Sequence, residues 1–283
     1  MSPSWHDEVG VYLSPHRMCL VRRNGGWRPS LTAEHEELVG TREPGSWAPA
    51  LTVLDTLLAD SKWRRARARL VVSDHWARYA VVPWTAELRS PEERLAHARQ
   101  ILASLYGEIV SDWEVCVSEA PPLCTRVACA VPAGLSADLR TLCDKHALRL
   151  ISLQPQLIAS YESWRHRLPG ACAWFVTVEQ GSLAAARIGD RGWDRVHNVR
   201  IGSDWARELK RLQTFGRIAS SSPEEGQVYV DAPHPWQEIA GPAGKDLHWL
   251  QEEGGPAGGA GPAGGAGPTS TLQHLGRLRR LAA

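Results

Sequence analysis

Three stretches decide the fold: RLVVSDHWARYAVVPW at residues 69–84, SPEERLAHARQILASLYG at 90–107, and TRVACAVPAGLSADLRTLCDKHALRLISLQPQLIAS at 125–160. In the first, the apolar run 69–73 reads as a strand. Residues 77–82 alternate as a second strand that Pro83 stops. The second stretch opens a helix: Ser90 stands at the N-cap, Pro91 at the first helical position and Glu93 at the capping-box position. That helix is expected to reach Tyr106, with Leu95, Ala98, Leu102 and Leu105 on one face and Gly107 as its stop. After a strand at 113–118, the third stretch reads strand 126–131, helix 136–146, strand 148–153 and helix 155–166.

Outward from this run, the two flanks carry one pattern. On the N-terminal side, strands at 8–14 and 17–22 are joined through Ser14-Pro15-His16, and Asn24-Gly25-Gly26 marks a second turn. A weaker strand at 37–41 follows, then a helix at 47–60 capped by Ser46 with Leu51, Leu54, Leu57 and Leu58 on its apolar face, then the strand 69–73. On the C-terminal side, strands at 173–178, 183–189 and 193–200 precede a helix that Ser203 caps and that carries Trp205, Leu209, Leu212 and Phe215. Residues 227–231 form the last strand. A β-β-β-α-β unit that occurs twice is too long for a solenoid repeat. It implies an α/β protein of two related, ribonuclease-H-like lobes. The divisions are residues 1–76 (first lobe core), 77–124 (inserted subdomain), 125–168 (connecting βαβα segment), 169–250 (second lobe core), 254–268 (linker) and 269–283 (C-terminal peptide).

Composition excludes several function classes. Lys and Arg number 32 against 31 Asp and Glu, without the basic excess of a general nucleic-acid binder. No apolar run is long enough to span a bilayer, and residues 1–8 lack the apolar segment of a secretory signal. The six cysteines form no CxxC pair and read as reduced thiols, and the 13 tryptophans as packing groups. The eleven histidines lack HExxH or HxH spacing, so no metal site is expected. No GxSxG, Walker or GxGxxG motif occurs. The basic run at 62–69, KWRRARAR, suits anionic lipid or nucleic acid but reads as a solvated loop against the neutral whole. Residues 254–268 are almost wholly Gly, Ala and Pro, a linker whose ends would lie about 20–25 Å apart. Beyond it, Leu272, Leu275, Leu278 and Leu281 recur every third position beside Arg277, Arg279 and Arg280. This is a short amphipathic peptide with partner-binding character, weakened as a helix by Gly276.

The three quoted stretches resemble the actin-like proteins of type IV pilus and type II secretion platforms: PilM, the cytoplasmic part of GspL, and the MSHA pilus protein MshI. The likeness covers roughly residues 8–231 and lies in layout and short phrases. It implies a two-lobed actin-like fold with an inserted small subdomain. It also implies a cytoplasmic place at a bacterial inner membrane and a platform protein as partner, with an oligomer possible; the charge balance and the lack of an apolar span leave nucleic acid and a direct membrane span out of this expectation, unlike full-length GspL-type proteins.

Active actin-like proteins hold ATP between two β-hairpins whose turns are rich in Gly, Ser and Thr, because backbone N–H groups must approach the phosphates closely. An Asp at the head of a hairpin positions the metal and water. The first hairpin here carries Leu13-Ser14-Pro15-His16, where Asp and Gly would be expected, and Pro15 lacks a donor. The second reads Thr177-Val178-Glu179-Gln180-Gly181-Ser182, with Thr177 or Glu179 in the Asp position. The third segment, Val228-Tyr229-Val230-Asp231-Ala232-Pro233, has no glycine pair. The remaining nucleotide-cleft candidates are Ser14, His16, Gln180, Gly181 and Ser182. The expectation is a non-catalytic scaffold, a pseudo-ATPase without cofactor or metal. The competing readings are an active actin-like or sugar-kinase-like ATPase with divergent loops, and a soluble adaptor that uses the fold outside pilus assembly.

Overall fold

The computed structural model describes residues 6–27, 30–40, 45–169, 172–202, 204–218, 226–233 and 247–250. The expected Ser203 cap, the Phe215 side chain, the linker 254–268 and the peptide with Leu272, Leu275, Leu278 and Leu281 lie outside these residues. In chain order the elements are β1 (Glu8–Leu13), β2 (Arg17–Arg23), β3 (Leu31–Leu38), α1 (Ala48–Leu58), β4 (Arg67–Val72), β5 (Arg78–Val82), α2 (Pro91–Tyr106), β6 (Trp113–Val117), β7 (Arg126–Pro132), α3 (Ala133–Lys145), β8 (Arg149–Pro155), α4 (Gln156–Trp164), β9 (Ala173–Glu179), β10 (Ser182–Gly189), β11 (Gly192–Arg200), α5 (Trp205–Ile218), β12 (Gln227–Asp231) and β13 (Leu247–Trp249).

Two five-stranded sheets repeat one topology. The first is ordered β3-β2-β1-β4-β8 and the second β11-β10-β9-β12-β13. In each, a three-strand antiparallel meander is followed by two strands parallel to its first strand. The first sheet buries Val9, Val11, Leu13, Leu70 and Val72 with Leu54 and Leu58 of α1 and Leu135 and Leu139 of α3. The second buries Val176, Val178, Leu183 and Val230 with Trp205, Leu209 and Leu212 of α5. A small sheet, β5-β7-β6, packs Ala80, Val82, Val115, Ala128 and Ala130 on Ala98 and Leu102 of α2.

The α2 capping box forms as expected. Ser90 Oγ accepts from Glu93 N at 3.1 Å, Glu93 Oε2 accepts from Ser90 N at 2.9 Å, and Gly107 follows with φ +79°. Four local expectations are corrected. The third strand occupies Leu31–Leu38 and not 37–41; it is an edge strand whose charged residues, Glu34 to Glu37, hide its alternation. Trp47 and not Ser46 precedes α1, without a side-chain cap, because Pro49 in the first turn removes one donor that would need capping. Leu105 is 61% exposed although it continues the apolar stripe of α2. Finally β7, placed by sequence in the connecting segment 125–168, is the central strand of the small sheet.

Candidate functional site

Parallel strands β1 and β4 of the first lobe, and β9 and β12 of the second, end where the two lobes meet. At such C-terminal strand ends, loop residues converge on whatever the fold holds there. The residue after β1 is Ser14 and those after β4 are Ser73, Asp74 and His75. The other lobe supplies Thr177, the Glu179–Ser182 turn, Asn198 and Asp231.

Asp74 is the hub. It is 1% exposed. One carboxylate oxygen accepts from the Tyr79 hydroxyl and from Leu157 N at 3.2 Å, and the other from Thr177 Oγ1 at 3.1 Å. Its backbone carbonyl accepts from Asn198 Nδ2 at 2.6 Å, and that amide also reaches Ala77 O at 3.0 Å. Glu179, equally buried, takes the Ser73 hydroxyl and the Asp74 N–H at 3.4 Å. His75 Nδ1 lies 3.0 Å from Ser73 Oγ and 3.8 Å from Glu179 Oε2. Asp231 accepts from Ser160 Oγ of α4 at 2.7 Å, and Gln156 Nε2 donates to the same hydroxyl at 3.2 Å. Thr177, Glu179 and Asn198 of the second lobe bond to Ser73, Asp74 and Ala77 of the first, and Asp231 bonds to Ser160 of α4. Burial, and then the nearby Glu179 carboxylate, push the Asp74 carboxyl up to about 7 against the three donors that favour its charged form. Burial and contact with Asp74 raise the Tyr79 hydroxyl well above its ordinary value.

The candidate nucleotide-cleft residues Ser14, His16, Gly181 and Ser182 are brought together at the lobe boundary, and the polar groups of the first turn bond within that turn. Ser14 N and Oγ both donate to Arg17 O, at 2.9 and 2.8 Å, while Ser14 Oγ accepts from His16 N at 3.4 Å and Arg17 N at 3.0 Å. With Pro15 lacking a donor, the backbone N–H groups of the first turn are turned inward. Gly181 adopts φ +80°, and a Cβ there would meet His75 Nε2 at 3.1 Å and His16 Nε2 at 4.0 Å. The two imidazoles, in edge contact at 5.8 Å, fill the space between the hairpins. Burial, and then His75, lower the pKa of His16. Ser182 Oγ donates to Asn198 Oδ1 at 3.2 Å, and Gln180 is exposed at the turn. Thr177 and Glu179, the two residues in the expected metal-positioning place, are both engaged with the first lobe. Among the described residues no group of three His, Cys, Asp or Glu side chains is placed to hold a metal ion.

No protein-family model and no curated protein sequence matches the chain. Solved structures do. The PilM–PilN type IV pilus biogenesis complex superposes with a TM-score of 0.61 at 13% identity, over 97% of this chain and 96% of that one. The chain has the two-lobed actin-like fold. The cytoplasmic domain of EpsL, an inner-membrane component of the type II secretion system of Vibrio cholerae, gives 0.53 at 10% identity over 95% of each chain. A Bacteroides thetaiotaomicron protein with an actin-like ATPase fold and unknown function gives 0.55 at 12% identity, over 80% and 82%. Two of these structures come from the families the sequence resembles, and both are matched almost end to end.

Ser73, Asp74, His75, Tyr79, Gln156, Ser160 and Asn198 are site residues that sequence reading missed. Ser73-Asp74-His75 directly after the apolar strand Leu70-Val71-Val72 is the signal that could have marked the first of them, since polar residues there sit at a parallel strand's C-terminal end.

A second feature lies away from the hairpins. A groove of about 800 Å³ runs between β6 and β7 of the small sheet and β8 and α4 of the first lobe. Residues 150–155 line it continuously, and Ile158, Tyr161 and Trp193 supply apolar wall. Both β8 and β6 are outermost strands of their sheets among the described residues. Glu114 and Arg140, paired at 2.6 Å, stand at the rim. Among the described residues no helix is long and apolar enough to cross a membrane.

Proposed function

We propose that the chain is a non-catalytic actin-like scaffold of an inner-membrane assembly platform, serving a type IV pilus, an MSHA-type pilus or a type II secretion system from the cytoplasmic side. The observation that carries this reading is the use of Asp74, Thr177, Glu179 and Asp231 as hydrogen-bond partners between lobes, with His16 and His75 filling the space between the two hairpins. A closed, cross-braced cleft suits a scaffold of fixed shape better than an enzyme that must open for nucleotide. The platform role is supported by the near full-length likeness to a PilM–PilN complex and to an inner-membrane secretion component. The groove offers the docking place: an extended segment of the membrane-platform partner would add a strand along the open edge of β8 and seat apolar side chains against Ile158 and Tyr161.

The test has two parts. Purified protein is expected to hydrolyse no Mg-ATP above background. Millimolar ATP should leave its melting temperature unchanged, whereas ligand at a hundred times its Kd would add about 2.7 kcal/mol and several degrees. Turnover that disappears in Glu179→Ala overturns the non-catalytic reading. Pull-down from native membranes should recover a platform protein, and Ile151→Arg, in the groove wall, should lose it. Capture of the same partner by the variant refutes the groove as the docking place.

A further inference from the structure

The basic run 62–69 is not an isolated loop in the fold. At the end of the first sheet remote from the lobe boundary, register sets Arg23 beside Glu8, Glu8 beside Arg67, and Arg67 beside Arg149. Residues opposite one another across strands share a face, and Arg69, two residues on, returns to it. At the boundary end this face is covered, where Ala159 of α4 packs with Tyr12, Cys19, Val21 and Val71. The loops entering β4 and β8 are joined side by side, Arg65 N to Ala147 O at 3.1 Å and Arg149 N to Ala66 O at 2.9 Å.

The acidic groups of this rim are mostly taken. Asp7 pairs with Arg22 at 2.5 Å, Glu8 with Arg69 at 3.4 Å, Asp60 with Lys62 at 3.1 Å and Asp55 with Lys145 at 2.7 Å; Asp144, and Glu34 further along β3, are other exposed acids among the described residues. Arg64, Arg65, Arg67 and Arg149 have no ion-paired carboxylate among the described residues, and Arg65 and Arg149 are exposed. Trp27, four residues after β2, is 80% exposed at the same rim.

We propose that this rim docks the protein onto an anionic lipid bilayer, with the guanidinium groups on headgroup phosphates and the Trp27 indole seated at the interface. Guanidinium groups without a carboxylate take phosphate oxygens two at a time. Indole, apolar with one donor, favours the boundary between headgroups and acyl chains. The attraction is local, because the whole chain carries only +1. Single-stranded nucleic acid would ask for a row of aromatic side chains for stacking, and among the described residues this rim exposes one indole. The scaffold reading supplies the choice of a bacterial inner membrane, and the binding itself stands on these residues.

The test is flotation of the full chain with phosphatidylcholine vesicles with or without phosphatidylglycerol. Binding should need the anionic lipid and weaken with salt. Each basic side chain removed should lower partitioning about five-fold, so Arg65→Ala with Arg149→Ala loses roughly twenty-five-fold, and Trp27→Ala loses more, at unchanged melting temperature. Equal binding to neutral vesicles, or undiminished binding by these variants, overturns the proposal. So does loss caused only by Leu275→Asp with Leu278→Asp in the tail, or binding of duplex DNA in place of vesicles with the same sensitivity to the arginine variants. Partner capture that fails while vesicle binding persists counts against the scaffold reading alone.

Discussion

Asp74→Asn separates the shape of the hub from its charge. In the folded protein the Asp74 carboxyl is raised from 3.8 to about 7, by burial first and by the Glu179 carboxylate second. In the unfolded chain it returns to the ordinary value. Between those two values the folded protein keeps a proton that the unfolded chain has released. Stability from this group is therefore full below about pH 4, declines as pH rises, and levels off above about pH 7. A difference of roughly three units corresponds to about 4 kcal/mol at 1.36 kcal/mol per unit. Asparagine does not ionise. Its oxygen keeps the Tyr79 and Leu157 donors, and its amide faces Thr177, whose hydroxyl can turn to accept. Urea unfolding from pH 5 to pH 8 should show wild-type stability falling while the variant stays level. The variant should gain on wild type by about 1–2 kcal/mol across that interval, at unchanged urea slope. A variant that is less stable than wild type by the same amount at both ends would refute this. It would mean that the carboxylate is ionised in the fold and that its three donors outweigh its burial.

Asn198→Ala removes the donor shared by the buried carbonyls of Asp74 and Ala77, and should cost about 1–3 kcal/mol for each carbonyl left bare, read by calorimetry. Ser90→Ala opens the α2 capping box and should cost about 1 kcal/mol in urea unfolding with no change in slope. Gly192→Ala places a Cβ 2.8 Å from Thr125 O at φ +96°, so it should destabilise by about 1–3 kcal/mol. It should also speed hydrogen exchange at Thr125 N, which now donates to Arg191 O at 2.7 Å. Unchanged exchange would show that this turn is not what ties the small sheet to the second lobe.

The duplicated lobes were legible because strand period and helix caps are local signals. Residues 173–178 and 183–189 announce their strands through apolar runs broken only by Thr177 and Arg187, and Ser90-Pro91-Glu92-Glu93 fixes a helix start by itself. Departure of all three loops from the ATP-binding pattern was equally local. The hub was not legible. Asp74 and Thr177 are 103 positions apart, and Ser73 and Glu179 are 106 apart; no periodicity within either segment says that they meet. β3 was misplaced because an edge strand has only one strand partner and tolerates Glu34, Glu36 and Glu37, which hide its alternation. β7 was assigned to the wrong neighbourhood because strand pairing is set by topology. Its own sequence, apolar after Arg126, fits the centre of any sheet.

The braced boundary and the groove are linked through one helix. On α4, the N–H of Leu157 and the hydroxyl of Ser160 bind Asp74 and Asp231, so one side of its first turns is fixed to both lobes. The positions offset from these, Ile158, Tyr161, Glu162 and Arg165, line the groove. Tyr161 also meets Phe175 and Trp193 of the second lobe, at 5.8 and 4.7 Å between ring centroids. A groove wall held this way is set before any partner arrives, and preorganisation lowers the ordering cost that binding would otherwise carry. In a nucleotide-driven actin-like protein the same helix would have to follow lobe motion. On the proposed reading, the bonds of Leu157 N to Asp74 and of Ser160 Oγ to Asp231 hold α4 still, so one set of hydrogen bonds would both close the cleft and fix the groove wall.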